Sequence, residues 1–254
     1  MTNILWKPQP RQSAFMARPE YACMYGGPAV GGKSDALVAE ALRHGGFDNE
    51  VRTVIDWIEA EDVTEDTAEQ LLKGADGILV PGGFGERGVE GKILTAKYAR
   101  EHDVPYLGIC LGMQTAVIEF ARDAAGIADA CSGEFSERGS KVIDIMPDQQ
   151  GNIPKGGTMR RGAYECRRSD GGMLRGIYGA ESVAERHRHR YEFNNAFRDV
   201  LTSKGLRLEG LSPDGRLVEA VSVPGCRFFV GVQYHPEFKS RPNKAHPLFA
   251  AFIK

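Results

Sequence analysis

The stretch that most constrains the fold is a short apolar run that ends at a cysteine and opens into a helix. It has the sequence Tyr106-Leu-Gly-Ile-Cys-Leu-Gly-Met-Gln114. The first four residues predict a buried strand, and those after Cys110 predict a helix, so the cysteine lies at a turn between them. The N–H groups and the dipole at the start of a helix favour a thiolate. Cys110 is therefore a candidate nucleophile, and the alternative is a buried core cysteine.

Before this turn, apolar runs alternate with helical patterns. Strands are predicted at 21–25, 51–57 and 77–80, and helices at 35–44, 89–102 and from a capping box at 62–65 to about Gly74. This alternation predicts an α/β fold with a doubly wound, mostly parallel sheet and helices on both faces. In such sheets ligands bind beyond the carboxyl ends of the strands, where Cys110 is expected.

After Cys131 the pattern changes to shorter, strand-like pieces. They lie at 141–145, 157–166, 186–193, 206–209, 217–223 and 228–233. We interpret them as a partly antiparallel extension of the sheet.

Charge and cysteine usage argue against several classes of protein. The net charge is −2, with 32 basic and 34 acidic side chains, which predicts neither a nucleic-acid nor a membrane partner. The five cysteines are scattered without a Cys-x-x-Cys pair, as expected for a reduced, cytoplasmic protein without a zinc site. Cysteines other than Cys110 are expected to be structural.

A second motif supplies a proton partner for a nucleophile. His235 and Glu237 lie in Gln233-Tyr-His-Pro-Glu-Phe238, two residues apart, so the carboxylate can orient the imidazole; the alternative is a surface turn. Glycines in Pro81-Gly-Gly-Phe-Gly85 allow close approach to a ligand. The N–H groups of Gly83 and Leu111 are candidates for holding an oxyanion. Together these residues predict cysteine-based acyl transfer.

A third motif is the basic run Glu185-Arg-His-Arg-His-Arg-Tyr191. At strand spacing its arginines Arg186, Arg188 and Arg190 share one face, and the two histidines share the other. A buried arginine would suit a substrate carboxylate. His187 and His189 lack a third ligand at useful spacing, so they are interpreted as packing or hydrogen-bonding residues rather than as metal ligands.

These motifs, with Leu79-Val-Pro-Gly-Gly-Phe-Gly85 and Gly157-Thr-Met-Arg160, closely resemble the class I glutamine amidotransferase domain of CTP synthase, from about Glu40 to the C-terminus. The resemblance implies that glutamine is hydrolysed through a thioester on Cys110, with His235 and Glu237 as its partners and no cofactor. It also implies that the oxyanion is held by Gly83 and Leu111 and the glutamine by Gln114, Glu134 and Arg190.

In that family the ammonia passes to a synthetase domain that binds UTP, ATP and Mg²⁺ and responds to GTP. Only about 40 residues precede the resemblance here. We therefore expect that this chain alone does not make CTP, and that a separate synthetase subunit receives the ammonia. Residues 21–254 are expected to form a single amidotransferase domain after an irregular arm at 1–20.

The N-terminal segment resembles the start of a phage terminase large subunit. Gly27-Pro-Ala-Val-Gly-Gly-Lys-Ser34 fits a Walker A loop, which makes Gly32, Lys33 and Ser34 candidate phosphate-binding residues. We hypothesise that residues 21–25 and 35–44 replace the missing edge βα unit of the amidotransferase sheet. Two alternative functions stay open: an ATP-binding, terminase-like fragment, and a catalytically silent interaction module.

Overall fold

The computed structural model describes residues 20–26, 32–145 and 159–254, with side chains from residue 36 onward. The strands are β1 Glu20–Gly26, β2 Arg52–Ile58, β3 Gly77–Val80, β4 Tyr106–Ile109, β5 Ala130–Ser132, β6 Ser140–Ile145, β7 Arg160–Arg168, β8 Ser182–His189, β9 Tyr191–Phe193, β10 Arg207–Leu211, β11 Val218–Ser222 and β12 Phe229–Val232. The α-helices are α1 Gly32–Asp48, α2 Ala68–Leu72, α3 Val89–Glu101, α4 Leu111–Glu119, α5 Met173–Tyr178, α6 Arg198–Ser203 and α7 Pro247–Ile253.

Nine of the described strands form one sheet in the order β2-β1-β3-β4-β12-β11-β10-β7-β8. Neighbours from β2 to β12 are parallel, and those from β12 to β8 are antiparallel. The predicted α/β fold with an antiparallel extension is therefore confirmed, and the extension supplies four of the nine strands. The carboxyl ends of β3, β4 and β12 lie side by side, which brings together the loops that follow them.

Helices cover both faces of the sheet, so its central strands are buried on both sides. Leu79 belongs to a core cluster with Leu42 of α1 and Phe249 of α7, whereas its neighbour Val80 packs in another cluster with Ala96 of α3. Successive side chains of a strand point to opposite faces. The continuous apolar sequence of β3 is thus the pattern expected of a parallel strand between two helical layers.

Two sequence predictions need correction. The capping-box pattern at 62–65 does not open a helix, because α2 begins at Ala68. The Thr67 hydroxyl instead accepts from the Thr64 N–H at 2.8 Å and donates to the Asp62 carbonyl at 2.6 Å, which closes a turn before the helix. The predicted strand at 186–193 is also interrupted at Arg190, where β8 ends and β9 begins.

That interruption transfers the chain to a second, small sheet. Its strands are β5, β6 and β9 in that order, with β5 parallel to β6 and β6 antiparallel to β9. Glu134 follows β5 closely, and Arg190 immediately precedes β9. The small sheet therefore brings Glu134 and Arg190 towards the same side of the main sheet.

The N-terminal strand β1 pairs in parallel with both β2 and β3. It lies inside the sheet, and β2 occupies the edge position that the hypothesis gave to the N-terminal βα unit. The loop residues 27–31 of the Walker A pattern lie outside the described residues. No helix in the described part of the chain is long and apolar enough to cross a membrane.

Candidate active site

Cys110 lies in a strained turn between β4 and α4. Its φ of 53° and ψ of −103° are unfavourable for a residue with a side chain. The turn is held by the Cys110 N–H, which donates to the Val232 carbonyl at 2.7 Å. Gly112 allows α4 to start directly on the sheet, since a Cβ there would lie 2.1 Å from the Val80 carbonyl oxygen. The geometry confirms the predicted strand-to-helix turn at Cys110.

His235 and Glu237 form a buried pair just beyond β12. His235 Nδ1 and Glu237 Oε1 are 2.7 Å apart, and the two residues are 9% and 5% exposed. The His235 N–H donates to the Arg186 carbonyl at 2.8 Å, which ties this loop to β8. Burial lowers the pKa of His235, but its contacts with Cys110 and Glu237 outweigh burial and raise the pKa to about 10. An imidazolium is thereby favoured next to the thiol.

Gly82 brings the glycine loop into contact with both partners. A Cβ at Gly82 would lie 2.8 Å from His235 Cε1 and 3.4 Å from Cys110 Cβ. The loop therefore packs against the cysteine and the histidine at a point where only a hydrogen fits. The sequence analysis singled out the loop but missed Gly82, whose signal was its position beside the candidate oxyanion residue Gly83.

The candidate oxyanion residues also lie together. A Cβ at Gly83 would be 3.2 Å from Leu111 Cδ2, so the glycine loop approaches the first residue of α4. Leu111 is the first residue of α4, and the first N–H groups of a helix have no intrahelical acceptor. Backbone donors from two elements can thus reach one oxygen next to Cys110.

A small cavity opens at the cysteine and contains four of the five predicted substrate-binding residues. It is lined by Gly83, Phe84, Cys110, Gln114, Glu134, Met159, His189, Arg190 and Tyr191. The sequence analysis did not predict Phe84, Met159, His189 or Tyr191. Each of them lies within a motif quoted above, but the sequence did not show that its side chain faces the cavity.

The cavity carries one charge of each sign. Burial raises the pKa of Glu134, and the Gly85 N–H and Arg190 act in the opposite direction. The Gly85 N–H donates to Glu134 Oε1 at 3.2 Å, so the glycine loop orients this carboxylate. Arg186 and Arg188 are exposed and line a separate open groove, as expected from their position on one strand face. Only Arg190 of the three arginines lines the cavity.

Gln114 lies on the wall of the cavity with its amide nitrogen already engaged. Its Nε2 donates to the Tyr191 carbonyl at 3.0 Å and to Gln233 Oε1 at 3.1 Å. A primary amide has two N–H donors, so both are used. The carbonyl oxygen of Gln114 is then the group left for a ligand.

Behind the cavity lies a buried ionic cluster that the sequence analysis missed. Arg160 of β7 contacts Glu219 at 3.0 Å and Glu192 at 3.4 Å. The pKa of Glu192 is raised to about 8, because burial outweighs the opposing effect of Arg160. No periodicity marked Arg160, because the acidic residues it pairs with lie on β9 and β11.

The two histidines of the basic run point into this cluster. His187 Nδ1 and His189 Nε2 are 2.9 Å apart, and burial lowers the pKa of both, that of His189 to about 3. Within the described part of the chain, no group of three His, Cys, Asp or Glu side chains is placed to hold a metal ion. Gly32, Lys33 and Ser34 lie in the first turn of α1, and their side chains are outside the described part of the structure.

Comparison with known proteins identifies a family that matches this chain. Residues 34–254 match the family described as glutamine amidotransferase class-I. CTP synthases of Ruminiclostridium cellulolyticum and Carboxydothermus hydrogenoformans are 54% and 57% identical over 217 residues, which are 85% of this chain and 41% of each relative. The chain therefore spans about two fifths of the length of these relatives.

One solved structure is similar over nearly its full length. The glutaminase domain of the Trypanosoma brucei CTPS, with bound acivicin, superposes with a TM-score of 0.86 and 36% identity. The match covers 92% of each chain. The fold of this chain thus matches that of a glutaminase domain.

Proposed function

Because the chain belongs to the class I glutamine amidotransferase family, we propose that it hydrolyses L-glutamine to glutamate and ammonia through a thioester on Cys110. The observation that carries the proposal is the geometry at the cavity. Cys110 lies in a strained turn, and the buried His235–Glu237 pair lies beside it with a His235 pKa of about 10. A thiolate next to an imidazolium is an activated nucleophile.

The proposed reaction has two halves. The Cys110 sulfur attacks the carboxamide carbon, and the resulting oxyanion accepts hydrogen bonds from the N–H groups of Gly83 and Leu111. His235 gives its proton to the departing nitrogen, so ammonia leaves and a glutamyl thioester remains. His235 then takes a proton from water, which attacks the thioester and releases glutamate. Glu237 holds the imidazole through both steps.

The cavity charges support glutamine as the substrate. A carboxylate at Glu134 suits the α-ammonium group, and a guanidinium at Arg190 suits the α-carboxylate. The carbonyl oxygen of Gln114 can add an acceptor on the same wall. Free glutamine carries both charges on one carbon, whereas a glutamine within a peptide carries neither, so this wall selects the free amino acid.

We further propose that the ammonia serves amination of UTP to CTP. The similarity to CTP synthases supports this destination. ATP, Mg²⁺ and a GTP activator belong to that second reaction, and a separate synthetase subunit is the proposed acceptor. A cytoplasmic location remains a prediction from the cysteine pattern.

We also infer that residues 21–254 form one domain in which β1 and α1 take the place of the family's first βα unit. Pairing of β1 with two strands and packing of Leu42 of α1 against Phe249 of α7 support this inference. Phosphate binding at Gly32, Lys33 and Ser34 stays a prediction from the terminase-like pattern. Titration of ATP into the wild type and into Lys33→Ala tests it, since a functional phosphate loop loses affinity with this lysine.

A glutaminase assay tests the main proposal. We expect the purified chain to release equal amounts of glutamate and ammonia from L-glutamine, and Cys110→Ser to abolish the release. Cys131→Ser is the matched control, because Cys131 is a partly exposed thiol away from His235. A glutamine-like diazo-ketone should modify Cys110 covalently in the wild type, and this labelling should be lost in Cys110→Ser. Turnover that survives in Cys110→Ser, or no turnover with or without UTP, ATP and GTP, contradicts the proposal.

A further inference from the structure

A chain of hydrogen bonds leads from the buried cluster to the sulfur of Cys110 and ends at Gln233, a residue to which the proposed reaction gives no part. Gln233 is completely buried and follows β12, two positions before His235. Its Nε2 lies 3.6 Å from Cys110 Sγ, and the two residues are 123 positions apart in sequence. This places a neutral N–H donor at the nucleophile.

The donor and acceptor of each hydrogen bond in this series follow from the chemistry of the groups. The Tyr191 carbonyl can only accept, so Gln114 must present its Nε2 there, at 3.0 Å. The same Nε2 lies 3.1 Å from the Gln233 side chain, which must therefore turn its oxygen towards Gln114. The other end of the Gln233 amide, facing Cys110, is then its N–H donor. His189 Nδ1, at 3.2 Å from the same Tyr191 carbonyl, is fixed as a donor by the same argument.

We propose that Gln233 is a further residue of the nucleophile site, and that its amide N–H stabilises the Cys110 thiolate while Gln114 locks the amide in this orientation. Hydrogen bonds to an ionised acceptor are stronger than those to a neutral one. The bond therefore favours the thiolate over the thiol. This inference extends the proposed function. It rests on that proposal in one respect, namely that Cys110 is the nucleophile.

Other titratable and charged groups also face the sulfur and act on the Cys110 thiol independently of this hydrogen bond. His235, held by Glu237, is the nearest cation, and Glu134 and Arg190 lie across the cavity. His189, also on the cavity wall, is neutral near pH 7 because burial lowers its pKa to about 3. None of these groups is removed by a change at Gln233, so its effect on the thiol can be measured separately.

The test is the rate of Cys110 alkylation by iodoacetamide as a function of pH, read at the Cys110 peptide by mass spectrometry. In Gln233→Met, which removes the donor at similar size, we expect the midpoint to rise by about one pH unit, so that the thiolate fraction at a fixed pH below the midpoint falls about tenfold. The plateau at high pH should stay or rise about threefold, because a more basic thiolate is intrinsically more nucleophilic. A variant that has lost its structure would instead show a changed plateau rate that does not follow from the shift of its midpoint.

Two further variants keep the test decisive. Gln233→Asn retains an amide but shortens it by one methylene, and it should shift the midpoint in the same direction by a smaller amount. Thr95→Val is the matched control, since it removes one buried side-chain hydrogen bond, to the Gly91 carbonyl, far from the thiol. A wild-type midpoint in whichever Gln233 variant stays folded overturns the inference.

The alkylation readout separates this inference from the proposed function. A shifted midpoint in a chain that does not hydrolyse glutamine would support the role of Gln233 and reject the glutaminase. Normal glutamine hydrolysis with an unshifted midpoint would support the glutaminase and reject the role of Gln233.

Discussion

Gly82 is the residue at which the glycine loop approaches His235 most closely, and it illustrates how the site depends on a missing side chain. A Cβ there would lie 2.8 Å from His235 Cε1, a distance that real Cβ contacts do not tolerate. The imidazole ring cannot keep its place if that carbon is present. The displacement would move the proposed proton partner of Cys110 and leave the sheet intact.

We therefore predict that Gly82→Ala lowers kcat for glutamine hydrolysis about 100-fold while the protein stays folded, because a displacement of about 1 Å can cost this much. Steady-state kinetics and a thermal melt measure the two effects. Gly176→Ala in α5 is the matched control, since a Cβ there meets nothing within 4 Å. Near-normal kcat in Gly82→Ala would show that the ring position is not critical.

The raised pKa of His235 predicts a pH dependence of stability. A group whose pKa is higher in the folded state stabilises fully below its unfolded value of 6.5, and this contribution is lost as pH rises through about 10. One pKa unit corresponds to about 1.4 kcal/mol, so the wild type should lose at least about that much more than His235→Asn over this range. Urea unfolding at both ends of the range checks this, and equal losses would refute it.

At the scale of elements, the ionic cluster behind the cavity joins strands that the chain order separates. Arg160 on β7 pairs with Glu219 on β11 and Glu192 on β9, and its side chain is 10% exposed. It therefore links the antiparallel end of the main sheet to the small sheet that holds Glu134 and Arg190. Two buried carboxyl groups thus share this guanidinium as a partner.

We predict that Arg160→Met destabilises the fold by about 3–5 kcal/mol, because it removes one partner of the buried Arg160–Glu219 ion pair. Arg161→Met is the matched control: the neighbouring side chain is exposed on the opposite strand face, and its loss should change the free energy of unfolding by less than about 0.5 kcal/mol. Urea denaturation measures both variants. Equal, small effects would mean that the cluster contributes little to stability.

At the scale of the whole molecule, the cavity lies where three loops and the small sheet meet, so a bound ligand should stabilise the entire fold. Ligand that binds only the folded state at 100 times its Kd adds about 2.7 kcal/mol. The proposed mechanism predicts that Cys110→Ser does not turn over glutamine, which makes this variant suitable for equilibrium measurement. Its binding should therefore be visible as a thermal shift.

We predict that saturating L-glutamine stabilises Cys110→Ser by about this amount, and that adding Glu134→Gln removes most of the shift. Glu137→Gln is the matched control, because Glu137 lies in the same loop and is exposed. Differential scanning fluorimetry with increasing glutamine measures the shifts. An unchanged shift in the Glu134 variant would place the α-ammonium group elsewhere.

The sequence by itself determined the local features of this protein. The strands at 77–80 and 106–109, the turn at Cys110 and the His235–Glu237 pair follow from apolar runs, glycines and a two-residue spacing, which are properties of short segments. The structure confirms these features. The start of the helix predicted from the capping box was wrong, because the side chain of Thr67 closes a turn before the helix begins at Ala68.

Only the tertiary structure decided which distant residues share an environment. Gln233 meets Cys110 across 123 positions, Arg160 meets carboxylates of two other strands, and Gly82 meets His235 from another loop. Each contact depends on strand order and on the register of packed side chains, neither of which is encoded in a local pattern. Contacts of this kind set the burial and the charged neighbours of each group, and together these set the pKa values on which the proposed chemistry depends.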